Sequence, residues 1–234
     1  MKYLTTIFLF LSIFHVNAQE LLHYTEHNRL WDYVESTPSN IETNPEELVK
    51  YLSKVTKNQR ELIEVIYYWI SQNIEYDVEG YSTGVFDAYE AQDVLISKSS
   101  VCGGYSNLFQ LLCESAGIEC VVISGFAKGF GYSKEEDMRN DSIPNHAWNA
   151  VKLNGDWKLV DSTWGSGYCT IEDGNPLYKK SLNLGYIFTK PDGFAIEHFP
   201  EEPKWQLLDK PISREEFYAD STDAKIQYRY RYLR

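Results

Sequence analysis

Three residues in this chain have the types that amide chemistry at a carbonyl requires: a thiol, an imidazole and a carboxylate. Cys102 stands in Val101-Cys102-Gly103-Gly104, where an amphipathic helix is expected to begin. A cysteine at a helix N-terminus sits beside unpaired backbone N–H groups at the positive end of the dipole, and both favour thiolate. The two glycines let another chain approach, and the same N–H groups suit an oxyanion. Alone, a cysteine beside glycines is a common structural arrangement. A hairpin downstream adds the partners. His146 to Leu153, a two-residue Asn154-Gly155 turn and Asp156 to Ser162 form two strands. With Leu153 opposite Asp156, alternation puts His146 and Asp161 on one face as diagonal neighbours, roughly 7–8 Å apart at the backbone. Asp161 would hold one imidazole nitrogen while the other faces a thiol. A bulge would break this parity. Asp161 before Ser162-Thr163 also suits the start of a turn. His198, in Glu197-His198-Phe199-Pro200, is the competitor for the role of base; His23 and His27 lie far from these signals.

The elements that must position these residues are legible in part. Asn44-Pro45 with Glu46 and Glu47 starts a helix that ends near Ser53. Thr56 and Gln59 read as a capping box for a second helix ending near Asn73. Its stripe is Leu62, Ile63, Val65, Ile66, Trp69 and Ile70. Residues 80–98 read as loop plus a short helix over 88–95. The helix from Cys102 to Ala116 carries Tyr105, Leu108, Phe109, Leu112 and Cys113 on one face, with Gly117 as its left-handed cap. Cys120 to Ser124 is a β-branched strand, and 129–145 a loop. Tyr228, Tyr230 and Tyr232 alternate with arginines as an edge strand would. Helices first and an antiparallel sheet afterwards indicate an α+β domain.

The 234 residues are ordinary globular composition, 43% hydrophobic and 15% aromatic, with net charge -12. A negative field disfavours nucleic acid as a partner. Lys2, the apolar run Tyr3 to Phe14 and small residues at Val16 and Ala18 read as a secretory signal cleaved after Ala18. That run is too short to span a bilayer, which needs about 20 apolar residues, so no stable membrane anchor is expected. The expected localisation is secreted or periplasmic. Export permits disulfides among Cys102, Cys113, Cys120 and Cys169. Cys113 and Cys120 could pair across a helix-to-strand turn, or serve as small buried apolar residues. A Cys102–Cys169 bridge is a weaker alternative. Neither CxxC, HExxH, an EF-hand loop nor a nucleotide-binding glycine loop is present, so neither metal nor cofactor is expected.

Three blocks together resemble the transglutaminase-like core. They are Val101-Cys102-Gly103-Gly104-Tyr105-Ser106-Asn107-Leu108-Phe109, then Asn145-His146-Ala147-Trp148-Asn149, then Trp157-Lys158-Leu159-Val160-Asp161-Ser162-Thr163-Trp164. Trp69-Ile70 with Asn73-Ile74-Glu75-Tyr76-Asp77 resembles the helix upstream of the nucleophile in that family. His198-Phe199-Pro200 with Trp205-Gln206-Leu207-Leu208 is similar to its kyphoscoliosis-peptidase branch. The resemblance covers about Pro45 to Phe217. It implies a papain-like α+β fold, with the nucleophile at a helix N-terminus packed on an antiparallel sheet. Carried over by position, Cys102 is the nucleophile, His146 the general base and acid, and Asp161 the group that orients the imidazole. The expected organisation is a signal peptide over 1–18, an N-terminal segment over 19–44, the transglutaminase-like domain over 45–217 and a tail or edge strand over 218–234. The expected activity is thiol hydrolysis of an amide or peptide bond in a protein, peptide or cell-wall substrate. Acyl transfer to an amine shares every step up to the acyl-enzyme, and a non-catalytic binding module with a vestigial triad is the alternative from another class.

Overall fold

The computed structural model describes residues 18–85, 89–135 and 142–219. The signal peptide and the C-terminal tyrosine strand expected from the sequence fall largely outside that set. Helix α1 (Ala18–Glu35) occupies what the sequence offered only as an N-terminal segment. It contributes Leu30 and Val34 to the core, and its Arg29 pairs with Glu61 at 2.7 Å. Its apolar residues are too few for the periodicity to announce it. Helix α2 (Pro45–Leu52) starts as expected, with the Asn44 side chain accepting from the Glu47 N–H at 2.9 Å. Helix α3 (Gln59–Asn73) starts two residues later than the expected capping box. Its cap is Asn58, which accepts from the Glu61 N–H at 3.0 Å. Thr56 instead gives its hydroxyl to the Ser53 carbonyl, so it closes the preceding turn. The expected stripe is buried apart from the half-buried Leu62, and Tyr67 and Tyr68 are buried as well.

From α3 the chain runs through β1 (Glu75–Tyr76), α4 (Val78–Thr83) and α5 (Ala91–Ser97) to β2 (Ser99–Ser100). The region read as loop plus one short helix thus holds two. Strands β1 and β2 pair in parallel, Tyr76 beside Ser100, and the Asp77 N–H bonds the Ser100 carbonyl at 3.0 Å. This pairing fixes the two residues immediately before Val101. Helix α6 (Cys102–Ser115) follows at once and ends in a turn where Gly117 has φ 72° and the Ile118 N–H returns to the Cys113 carbonyl at 2.9 Å.

Behind α6 lies an antiparallel sheet of five strands in the order β8-β5-β4-β3-β9, formed by β3 (Cys120–Ala127), β4 (His146–Leu153), β5 (Asp156–Val160), β8 (Ile187–Thr189) and β9 (His198–Pro200). The hairpin of β6 (Gly167–Glu172) and β7 (Asn175–Lys180) forms a separate pair. Alternation along β4 divides its residues between two layers. Val151 and Leu153 join Trp69, Tyr105, Phe109 and Leu112 in the core under α6. Trp148 and Ala150 pack with Ile123, Leu159 and Phe194 in a second cluster. Asn149, fully buried, gives its amide to the Ser106 carbonyl at 3.0 Å and the Val121 carbonyl at 3.2 Å. One side chain thereby ties α6 to two strands. Helices first and an antiparallel sheet after make this the α+β architecture expected from the sequence, with the N-terminus of α6 packed on an antiparallel sheet. No helix among the described residues is long and apolar enough to cross a membrane.

Candidate active site

Cys102 is the first residue of α6, and no side chain caps that helix end. The N–H groups of its first turn therefore have no intrahelical partner. Bulk is excluded next to the sulfur. A Cβ at Gly103 would run into the Tyr89 ring, and one at Gly104 would run into Ser100 and Val94. The glycines are needed here for close packing, with the Tyr89 ring lying across the start of the helix.

The hairpin has the predicted register, from Leu153 opposite Asp156 to Asn149 opposite Val160. The ladder stops there, two residues short of the expected strand end. The chain leaves the sheet at Asp161, which caps the short helix Ser162–Ser166 by accepting from the Thr163 and Trp164 N–H groups, each at 2.9 Å. Asp161 and His146 nonetheless meet: His146 Nε2 lies 2.8 Å from Asp161 Oδ2. The expected neighbours are in contact, but Asp161 arrives as a helix cap and not as a strand residue. Both alternatives for Asp161 hold at once, because its two oxygens serve different partners. Oδ1 starts the helix and Oδ2 holds the imidazole.

The electrostatics follow from burial and these contacts. Asp161 is wholly buried, which by itself would raise its pKa. The His146 charge and hydrogen bonds from both His146 and His198 outweigh burial and hold it well below the usual carboxylate range. Burial disfavours charge on His146 too, but the Asp161 carboxylate and a hydrogen bond with Cys102 push it up to about 10. Burial raises the Cys102 thiol, yet its hydrogen bond with His146, the imidazolium charge and the Ala147 N–H bring it below the ordinary thiol value. These contacts thus favour a thiolate–imidazolium pair more than the same groups would experience apart. Because an ionised carboxylate only accepts, His146 carries its proton on Nε2, and Nδ1 is the nitrogen that exchanges a proton with the sulfur.

Cys102 is the most exposed of the three, His146 is buried, and Trp164 stacks on the imidazole at 5.0 Å between centroids. The sulfur is therefore where a substrate would enter. A cavity of about 400 Å³ lined by Glu114, Ile118, Val121 and Trp157 lies at the other end of α6, remote from this chemistry.

His198 is the group whose place the sequence left open. Its Nε2 reaches the same Asp161 Oδ2 at 3.0 Å, and it is fully buried. It does not compete for the base position; it lies on the carboxylate beside His146. The sequence marked it as a rival base and as part of the His198-Phe199-Pro200 block, but no spacing rule brings β9 to Asp161. His146, Asp161 and His198 place three ligand-type atoms within 4.8 Å of one another. The two hydrogen bonds to Oδ2 already account for that approach. All four cysteines are free. Cys113 and Cys120 are buried neighbours, and burial with their mutual contact pushes the Cys113 thiol well up, as expected of inert apolar packing. Cys102 and Cys169 are not bridged.

A model of the transglutaminase-like superfamily core matches residues 46–162, a span holding Cys102, His146 and Asp161 in order. The chain belongs to the transglutaminase-like superfamily. Its curated relatives place it in the kyphoscoliosis-peptidase-like branch. It is 36% identical to kyphoscoliosis peptidase from Mus musculus over 191 residues, covering 81% of this chain and 28% of the relative. The Homo sapiens protein of that name is 37% identical over 172 residues, covering 74% and 25%. The LIM and transglutaminase domain protein ltd-1 from Caenorhabditis elegans is 31% identical over 182 residues, covering 73% and 24%. This chain thus spans about a quarter of the length of the curated relatives it matches.

Proposed function

We propose that this chain is an exported thiol enzyme that cleaves an amide or peptide bond through Cys102, His146 and Asp161. One observation carries the proposal. A cysteine at an uncapped helix N-terminus shares a hydrogen bond with an imidazole whose other nitrogen is held by a buried carboxylate. Two relatives named as peptidases agree with it.

The Cys102 thiolate attacks the carbonyl carbon and forms the C–S bond, with the oxyanion facing the free N–H groups of α6. His146 gives its Nδ1 proton to the amide nitrogen as the C–N bond breaks, leaving an acyl-thioester. A water then gives a proton to His146 and its oxygen to the acyl carbon; the thiolate leaves and the pair is restored. Asp161 remains ionised throughout. Acyl transfer differs only in that an amine replaces this water. The substrate is a protein, peptide or cell-wall amide, and no cofactor enters any step.

The test is to incubate the protein with p-nitrophenyl acetate and record intact mass by rapid quench. An acetyl group on Cys102 is expected, absent in Cys102→Ala. Peptide amides, with and without an added primary amine, then separate hydrolysis from transfer. Acetylation undiminished in Cys102→Ala would overturn the assignment. A Cys102 that never acylates would favour a binding module.

A further inference from the structure

Asp161 Oδ2 is shared by two imidazoles, and only one of them reaches the sulfur. We propose that His198 is a positioning residue, a neutral imidazole whose Nε2–H pins the Asp161 carboxylate and so confines the positive charge of the site to His146. The proposal rests on the thiol-enzyme reading and names a group that reading does not use.

The count of donors leads to this assignment. A carboxylate presents about four acceptor positions on two oxygens. Asp161 fills Oδ1 with the Thr163 and Trp164 N–H groups, and Oδ2 with His146 and His198. No position is left for water, and the carboxylate is fixed in one rotation. Both histidines must carry a proton on Nε2, since the ionised acceptor has none to give. What separates them is the far nitrogen. His146 has a hydrogen bond with Cys102, and with Nε2 held by Asp161 that bond falls to Nδ1. Nδ1 of His198 is buried and, among the described residues, has no hydrogen-bond partner. A second proton there would be an N–H donor with nothing to accept it, and such a buried orphan is costly. Its surroundings are aromatic: Phe194 stacks on the ring at 3.9 Å, with Trp164 at 4.5 Å and Trp148 at 5.0 Å. The ionisable groups that face it are Asp161, His146, the adjacent Glu197 and Tyr186, whose hydroxyl donates to Glu197 Oε2 at 3.2 Å. Burial and the nearby His146 charge hold the His198 pKa below its ordinary value, while Asp161 and Glu197 act in the other direction. Neutral His198 is therefore a donor that fixes the carboxylate without competing for the proton that Cys102 and His146 exchange.

Two substitutions separate the hydrogen bond from the packing. His198→Phe keeps an aromatic ring but removes the donor. His198→Gln places an amide N–H near the position of Nε2. The readout is iodoacetamide alkylation of Cys102 against pH, which needs no substrate, with circular dichroism and melting to verify folding. In His198→Phe the midpoint is expected to rise by about one pH unit or more, as loss of one hydrogen bond to a charged group implies. His198→Gln is expected to bring it back at least halfway. A midpoint unmoved in folded His198→Phe overturns the proposal, as does an equal rise in both variants. If His198→Phe does not fold, 15N-histidine spectra of the wild-type protein decide. They should show one neutral imidazole protonated on Nε2 at pH 7 that is lost in His198→Gln, beside a doubly protonated His146. A charged His198 refutes the assignment. If Cys102 alkylation shifts as predicted but no ester or amide ever acylates it, the positioning role stands and the enzymatic reading falls.

Discussion

Replacing Asp161 by Asn removes one charge and almost no volume. The Asn oxygen can still accept from the Thr163 and Trp164 N–H groups, so the cap of the helix Ser162–Ser166 survives. Its NH2 group then occupies the place of Oδ2 and points donors at the Nε2–H of His146 and of His198. Each imidazole must rotate away or move its proton to Nδ1, and for His146 that means presenting an N–H where the sulfur needs an acceptor. The magnitude follows from the raised basicity of His146. A pKa of about 10 against the ordinary 6.5 corresponds to roughly 5 kcal/mol in favour of the imidazolium, with the Asp161 charge and hydrogen bond as its leading favourable causes. Burial opposes charge on His146, so without Asp161 its pKa should fall below 6.5. The thiolate then loses its counter-charge, and only the Ala147 N–H remains to oppose the upward pull of burial on Cys102. Alkylation at pH 6.5, where a free thiol is about 1% ionised, should drop by about tenfold or more in Asp161→Asn with the fold retained. A rate within threefold of wild type would refute the claim that the carboxylate sustains the ion pair.

Three further outcomes follow from the same contacts. Asn149→Ala removes the two amide bonds by which β4 holds α6 and β3 and should cost about 1–3 kcal/mol by urea denaturation; an unchanged midpoint would show the link to be idle. Gly104→Ala drives a methyl group into Ser100 and Val94 and should cost about 1–3 kcal/mol, with a Tm equal to wild type counting against tight packing below Cys102. Because folding raises the His146 pKa, its contribution to stability is full below pH 6.5 and is lost as pH rises toward about 10. The Tm advantage of wild type over His146→Gln should therefore shrink across that window, and a growing advantage would reverse the sign assigned here.

Much of the site was legible because its parts are local in sequence. The α6 periodicity ended where Gly117 said it would, and the Asn154-Gly155 turn set the hairpin register that brings His146 toward Asp161. The end of β5 was not legible. Asp161 satisfies a strand pattern and a capping pattern equally, and its choice is settled by helix Ser162–Ser166 and by the backbone bond from the Asp161 N–H to the Tyr186 carbonyl. The same holds for Asn58 over Thr56 at α3, where the Glu61 side chain bonds the Lys57 N–H and reaches Arg29 of α1. Helix α1 is not legible in the sequence because its order comes from docking on α3, a tertiary effect that outweighs a weak local pattern. His198 was legible as a residue but not as a position, since β9 reaches the site only by pairing with β3 across the fold.

The central claim is that Cys102 is a thiolate held by His146. Its most direct measurement is iodoacetamide alkylation of the four cysteines across pH, resolved by peptide mass spectrometry, with His146→Ala in parallel. The account predicts that Cys102 reacts selectively, with an apparent pKa well below the free-thiol value of about 8.5, and that His146→Ala abolishes the advantage. Cys113 and Cys120 should stay unreactive until the protein unfolds. A Cys102 that reacts no faster than an exposed free thiol, or equally fast without His146, would contradict it.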